Sequence, residues 1–192
     1  MTPPATHTVG VLAIQGDWAA HARAVSALGH EPVLVKAVEH LADVTALLLP
    51  GGESSTMLHF LLSEELLEPL ATFCRSGRPV FGTCAGAILL ASEVTGPEQQ
   101  SLGVLDMSVE RNAYGRQRES FITRLADPGG ELDELEAVFI RAPVIRRIGA
   151  GLDVVLRHGD DPVLVRSGPV WAATFHPEMT ADSRVLARVL SA

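Results

Sequence analysis

The chain has 192 residues, 47% of them hydrophobic and 20% charged, with a formal net charge of −8 and a sequence pI near 5.3. That length suits one domain spanning residues 1–192, the composition excludes extended disorder, and the acidic balance argues against a nucleic-acid partner. Lys36 is the single lysine among 15 basic residues, and two cysteines are too few for a disulfide framework or a four-ligand zinc site.

Residues 8–14 form a short apolar run closed by Gln15-Gly16, and apolar residues recur at helical spacing over 18–28 until Gly29 stops them. A strand, a loop and a helix are therefore predicted. Runs 32–36 and 46–49 repeat the strand pattern, and the helical spacing returns over 54–76. Residues 79–83 read as a buried strand and 85–92 as the helix that follows almost without a loop, with Cys84 at the joint. Beyond Gly96 come short β-like runs at 104–109, 138–140, 154–156, 163–166 and 170–175, some expected to be antiparallel, before a last helix near 183–190. The acidic, Gly-rich segment 127–134 is the expected exposed loop. Alternating strands and helices predict an α/β fold with a mostly parallel sheet and helices on both faces.

The absence of a basic and apolar leader, and of any run of about 18 apolar residues, points to a soluble protein with no membrane association; with so few cysteines, a cytoplasmic location is expected.

Gly82-Thr83-Cys84-Ala85-Gly86 has the form of a nucleophile elbow with cysteine at its centre. A sharp strand-to-helix turn exposes the central side chain at the carboxyl edge of the sheet, and the helix N-terminus favours thiolate over thiol. Read alone, Cys84 also fits a buried core thiol. Phe175-His176-Pro177-Glu178 supplies what a cysteine nucleophile needs, an imidazole base and a carboxylate to orient it. In an extended strand, residues two apart share a side, so both side chains are expected to reach one site. Leu49-Pro50-Gly51-Gly52-Glu53-Ser54 follows a predicted strand and opens a helix, and its amides can gather around an anion. The Gly52 and Ala85 N–H groups are the candidate oxyanion donors, since attack on a carbonyl creates negative charge that needs donors aimed at it. A plain Gly-rich turn is the alternative; a phosphate loop lacks its lysine.

Six motifs in order, Gly10 to Gly16, Pro50 to Thr56, the elbow, Arg111-Asn112-Ala113-Tyr114-Gly115-Arg116-Gln117, Phe139-Ile140-Arg141-Ala142-Pro143 and the His-Pro-Glu segment, give the chain a resemblance across nearly its full length. It resembles the triad glutamine amidotransferases, and within them the glutaminase subunits of pyridoxal 5'-phosphate synthase. The elbow and His-Pro-Glu are shared by the wider superfamily, whereas the Arg111 and Phe139 motifs point to this family.

The resemblance implies a flavodoxin-like three-layer sandwich. It implies Cys84, His176 and Glu178 as a catalytic triad, with L-glutamine bound by Gly52, Glu53, Ser54, Arg111, Ile140 and Arg141. An arginine is a good partner for the substrate's α-carboxylate. The implied partner is a β/α-barrel synthase subunit that takes up ammonia, so pyridoxal phosphate is a product of the complex; no cofactor is expected in this chain. An amidotransferase serving another ammonia acceptor, or a non-catalytic flavodoxin-like binding protein, are the alternatives. Ala20, where the family usually has an acid before the histidine matching His21, and the bulky Trp18 depart from the pattern. Cys74 reads as packing, Trp171 as core, and the remaining histidines as a set with no metal-ligating spacing, so no metal is expected.

Overall fold

A computed structural model describes residues 6–113 and 120–191. Tyr114, Gly115, Arg116 and Gln117 of the fourth motif lie outside the described residues. The first half alternates strand and helix: β1 (Thr8–Leu12), α1 (Trp18–Ala27), β2 (Glu31–Val35), β3 (Ala46–Leu49), α2 (Ser54–Ser63), α3 (Leu67–Cys74), β4 (Val80–Thr83) and α4 (Ala85–Leu90). The second half adds β5 (Ala91–Thr95), β6 (Leu105–Glu110), β7 (Ser120–Leu125), β8 (Leu135–Ile140), β9 (Val144–Ile148), β10 (Asp153–His158), β11 (Asp161–Ser167), β12 (Val170–Ala173) and α5 (Arg184–Leu190).

A seven-stranded sheet runs β10-β11-β12-β4-β3-β1-β2. Its strands from β12 to β2 are parallel, and β10 and β11 join antiparallel at one edge. The period of two along each strand divides the core into two clusters. Leu47 and Leu49 of β3 face a cluster containing Met57 and Leu61 of α2, Leu70 of α3 and Leu89 of α4. Ala46 and Leu48 face the other, with Val25 of α1 and Val185 and Val189 of α5. Helices thus cover both faces, as the α/β reading requires. A smaller sheet, β5-β6-β9, and the β7–β8 hairpin complete the structure.

Three boundaries differ from expectation. The helical pattern over 54–76 is two helices, because the chain turns at Glu65 with φ 53° before α3 begins. The helix after Cys84 stops at Leu90, where Ala91 turns extended (φ −62°, ψ 150°) and starts β5. The segment 127–134 is exposed for the most part, but Leu132 is buried in the second cluster. Among the described residues, no helix is long and apolar enough to cross a membrane.

Candidate active site

Parallel strands end on the same edge of a sheet, and the loops leaving the carboxyl ends of β1, β3, β4 and β12 converge there. They carry Gln15, Gly51-Gly52, Cys84 and His176 into one pocket of about 360 Å³. Glu53, Ser54, Arg111, Ile140 and Arg141 line the same pocket, so the substrate-binding residues expected from the sequence are brought together. Ala85 is fully buried behind Cys84 as the first residue of α4.

The elbow geometry follows from close packing. Cys84 adopts φ 48° and ψ −101°, an unfavourable conformation for a residue with a Cβ, of the kind that surrounding structure must hold in place. Its N–H donates to Ala173 O at 2.8 Å, which ties the turn to β12. The first turn of α4 presses onto the sheet: a Cβ at Gly86 would strike Leu49 O, and one at Gly82 would come within 2.6 Å of Gly86 C. Gly51 is similarly constrained, since a Cβ there would run into the His176 ring. The thiol points at Ile140 O, 3.9 Å away.

His176 and Glu178 do meet, but not along a strand. β12 ends at Ala173, and His176 caps a short 3-10 turn, Pro177–Met179, that carries Glu178. The turn brings the carboxylate back under the ring, and His176 Nδ1 donates to Glu178 Oε1 at 2.7 Å. His176 N–H donates to Val138 O at 2.8 Å, so β8 fixes the histidine with its backbone while its last residue, Ile140, faces the thiol. Burial works against charge on His176, yet hydrogen bonding to Cys84 and to Glu178 outweighs it and raises the imidazole to about 10. Burial would likewise raise Glu178, but the charge interaction with His21 and the hydrogen bond from His176 hold it down at about 2. Cys74, sealed in the core, has its thiol pushed up to about 12 by burial. A thiolate is the nucleophilic form of cysteine, so Cys74 is inert by comparison.

Around the pocket several predicted residues already have partners. Glu53 caps α2: its carboxylate accepts from Ser55 N at 3.2 Å, Thr56 N at 2.6 Å and Thr56 Oγ1 at 2.7 Å. Hydrogen bonding from Thr56 is the main reason its carboxyl is lowered to about 2. Arg111 donates to Glu53 Oε1 at 3.3 Å and to Ser55 Oγ at 2.7 Å, which parks a guanidinium at the pocket wall. The Ser54 hydroxyl donates to Gln99 Oε1 at 3.1 Å. Arg141, exposed with φ 42°, projects from the loop after β8.

Four contributors, Gln15, Asp17, Ser55 and His21, have no role in the site that the sequence assigns. Gln15 Oε1 accepts from Glu53 N–H at 3.0 Å, and Asp17 N–H donates to Gly51 O at 3.2 Å, so the first loop braces the glycine loop. Ser55 meets Arg111 as described. His21, on α1, is 1% exposed and lies against Glu178 and Thr83. Its signal was a polar residue in the buried stripe Ala20, His21, Val25 of a helix that faces the sheet. The expected loop departures, Trp18 and Ala20, fall on α1 itself, where Ala20 N–H donates to the capping Asp17. Among the described residues, no group of three or more His, Cys, Asp and Glu side chains is placed to hold a metal ion.

Residues 11–190 match the SNO glutamine amidotransferase family. The chain is 50% identical to a pyridoxal 5'-phosphate synthase subunit PdxT from Solibacter usitatus, across 95% of this chain and 97% of that one. It is 47% identical to the subunit of the same name from Bacillus cereus, across 93% of this chain and 91% of the relative. Among solved structures, a glutamine amidotransferase crystal structure superposes with a TM-score of 0.89 at 48% identity, covering 95% of this chain and 97% of the other.

Proposed function

The chain belongs to the SNO glutamine amidotransferase family, and from that premise we propose that it hydrolyses L-glutamine to glutamate and ammonia and passes the ammonia to a pyridoxal 5'-phosphate synthase subunit. The observation that carries the chemistry is the Cys84 elbow and the His176–Glu178 pair opening into one pocket that Arg111 and Arg141 also line. In this reading Cys84 thiolate attacks the side-chain amide carbon and forms a C–S bond, while the carbonyl electrons move to oxygen. The Gly52 and Ala85 N–H groups stabilise that oxyanion. Collapse breaks the C–N bond, and protonated His176 supplies the proton that lets ammonia leave. A raised pKa near 10 suits this role, because the ring is then protonated at neutral pH when paired with a thiolate. Neutral His176 next removes a proton from water, which attacks the γ-glutamyl thioester; the C–S bond breaks, glutamate departs and the thiolate returns.

Glu178 keeps the His176 Nδ1 protonated, so that Nε2 is the working nitrogen. Arg111 and Arg141 bind the substrate α-carboxylate, with Glu53, Ser54, Gly52 and Ile140 completing the cradle. Residues 1–192 act as a single glutaminase domain in the cytoplasm, with no nucleic acid, membrane, metal or cofactor in its reaction. The partner subunit combines the ammonia with ribose 5-phosphate and glyceraldehyde 3-phosphate, which makes pyridoxal 5'-phosphate a product.

Coupling to the partner is built on the glycine loop. Glycine peptides reorient at low steric cost, and the Gln15 and Asp17 contacts join that loop to a segment at the same sheet edge where a partner would dock. Steady-state glutamate release by the purified chain is expected to be slow and to rise when excess synthase is added, with ammonia incorporated into its product. Equal release with and without synthase would refute the coupling, and no release in either case would refute the glutaminase reading.

A further inference from the structure

On the triad reading given above, we propose that His21 is a positioning residue, which holds the Glu178 carboxylate in the orientation that serves His176. His21 Nε2 lies 3.0 Å from Thr83 Oγ1 and 3.4 Å from Glu178 Oε1. The same Oε1 receives His176 Nδ1–H at 2.7 Å, so one carboxylate oxygen stands between two imidazoles carried on different elements. The side chains of His21 and Glu178 are 2% and 1% exposed. An unprotonated Nε2 would aim its lone pair at the carboxylate, a repulsive arrangement in a dry site, so the carboxylate selects the Nε2–H tautomer of His21. Thr83 Oγ1, at 3.0 Å, is the nearer acceptor of that N–H and fixes the plane of the ring, and the 3.4 Å contact with Glu178 is the longer arm of the shared donor.

This second donor matters because Glu178 is anchored on one side only. Its Oε2 is buried without a hydrogen-bond partner among the described residues. A carboxylate held by a single donor through one oxygen can pivot about its last bond, and the imidazole of His176 would turn with it. A donor arriving from α1 removes that freedom. Against burial, which raises it, hydrogen bonding from His21 is among the influences that hold the Glu178 carboxyl below its ordinary value. Thr83 precedes Cys84 in the chain, so the contacts close a circuit from the nucleophile through His176, Glu178 and His21 back to the base of the elbow.

The position of His21 makes its role separable from substrate binding. His21 and Glu178 border a second cavity, about 270 Å³, between α1, the 3-10 turn and α5. Cys84, Arg111 and Arg141 line the front pocket, and His21 does not. A change at His21 therefore removes no substrate contact, and its effect belongs in kcat.

The test is steady-state glutamate release by the full chain with its synthase partner, for wild type and for His21→Leu, His21→Asn and His21→Gln. The amide nitrogen of Gln can stand near the site of Nε2, whereas that of Asn falls closer to Nδ1, so only Gln keeps the donor. kcat is expected to fall about 10- to 100-fold in the Leu and Asn variants, the range open to a lost hydrogen bond to a charged group. It should return to within about threefold of wild type in the Gln variant, with KM changing by less than about threefold throughout. Equal kcat in the Asn and Gln variants, or a loss carried by KM, would overturn the His21 assignment while wild-type turnover left the triad standing. A wild type that released no glutamate would overturn the triad reading and this one together. If the Leu variant fails to fold, the Asn and Gln pair still decides the question.

Discussion

Cys84→Ala is expected to lower glutamine hydrolysis by at least about 10⁴-fold, the scale at which loss of a nucleophile leaves only binding and the oxyanion donors. The fold should survive. Alanine keeps the Cβ, so it meets the same backbone restriction at φ 48° that cysteine already bears. The deleted sulfur gives up a weak contact with Ile140 O at 3.9 Å and its hydrogen bonding to His176, a ring that Glu178 still holds through Nδ1. Glutamate release with the synthase present, beside a thermal melt of the variant, checks both halves. Appreciable turnover by a folded variant would refute the nucleophile, since no other described thiol is available: Cys74 is buried and unreactive.

Glu178→Gln is expected to cost about 10³- to 10⁴-fold in kcat, in line with the loss when a histidine's carboxylate partner becomes an amide. Gln has the same shape, but its NH₂ cannot accept the Nδ1 proton, and its oxygen is a weaker acceptor than a carboxylate. His176 then loses its preference for the productive tautomer. The same variant has a stability signature. Glu178 sits near 2 in the folded chain against an ordinary 4.5, so its ionised form stabilises the fold above pH 4.5, and that stability is lost as pH falls from 4.5 through about 2. The acid-induced loss should therefore be smaller in the Gln variant than in wild type. Glu53 and Asp182 are also lowered and contribute to acid unfolding of both proteins. The readout is consequently the difference between the two, from urea unfolding midpoints at about pH 6 and about pH 3. Identical pH dependence would contradict the buried carboxylate's role.

The parallel half of the fold was legible because its strands are buried on both faces and so read as unbroken apolar runs, as in 46–49 and 79–83. The second half was read less completely. β9, Val-Ile-Arg-Arg-Ile, carries two arginines that pair with Glu110 and Asp106 on the neighbouring strand, and that pairing cannot be seen in a run of sequence. β7 alternates exposed and covered residues, with Ile122 exposed, and lacks an apolar core of its own. β5 continues the helical spacing of α4 in sequence, and only pairing with β6 makes it a strand.

The chemical groups were easier to find than their geometry. Cys84, His176 and Glu178 stand in compact motifs, yet the last two meet through a 3-10 turn and not along a strand. His21 matches a family histidine but has no role legible in the sequence, because its partners Thr83 and Glu178 are distant in sequence and converge only when α1 packs on the sheet. Glu53 shows the converse: the motif was clear, but its carboxylate caps α2 and holds Arg111.

The central claim, that glutamine is cleaved through a covalent intermediate on Cys84, is tested most directly by acid-quenching the chain and its synthase during turnover and mapping the acyl group by mass spectrometry. The thioester is stable enough in acid to survive analysis, whereas a general-base attack by water would leave no adduct. The expected result is one γ-glutamyl group on the peptide bearing Cys84 and none on the peptide bearing Cys74, with the adduct absent from Cys84→Ala. Continued glutamate release with an acyl group at another residue, or with none at any time in turnover, would contradict it.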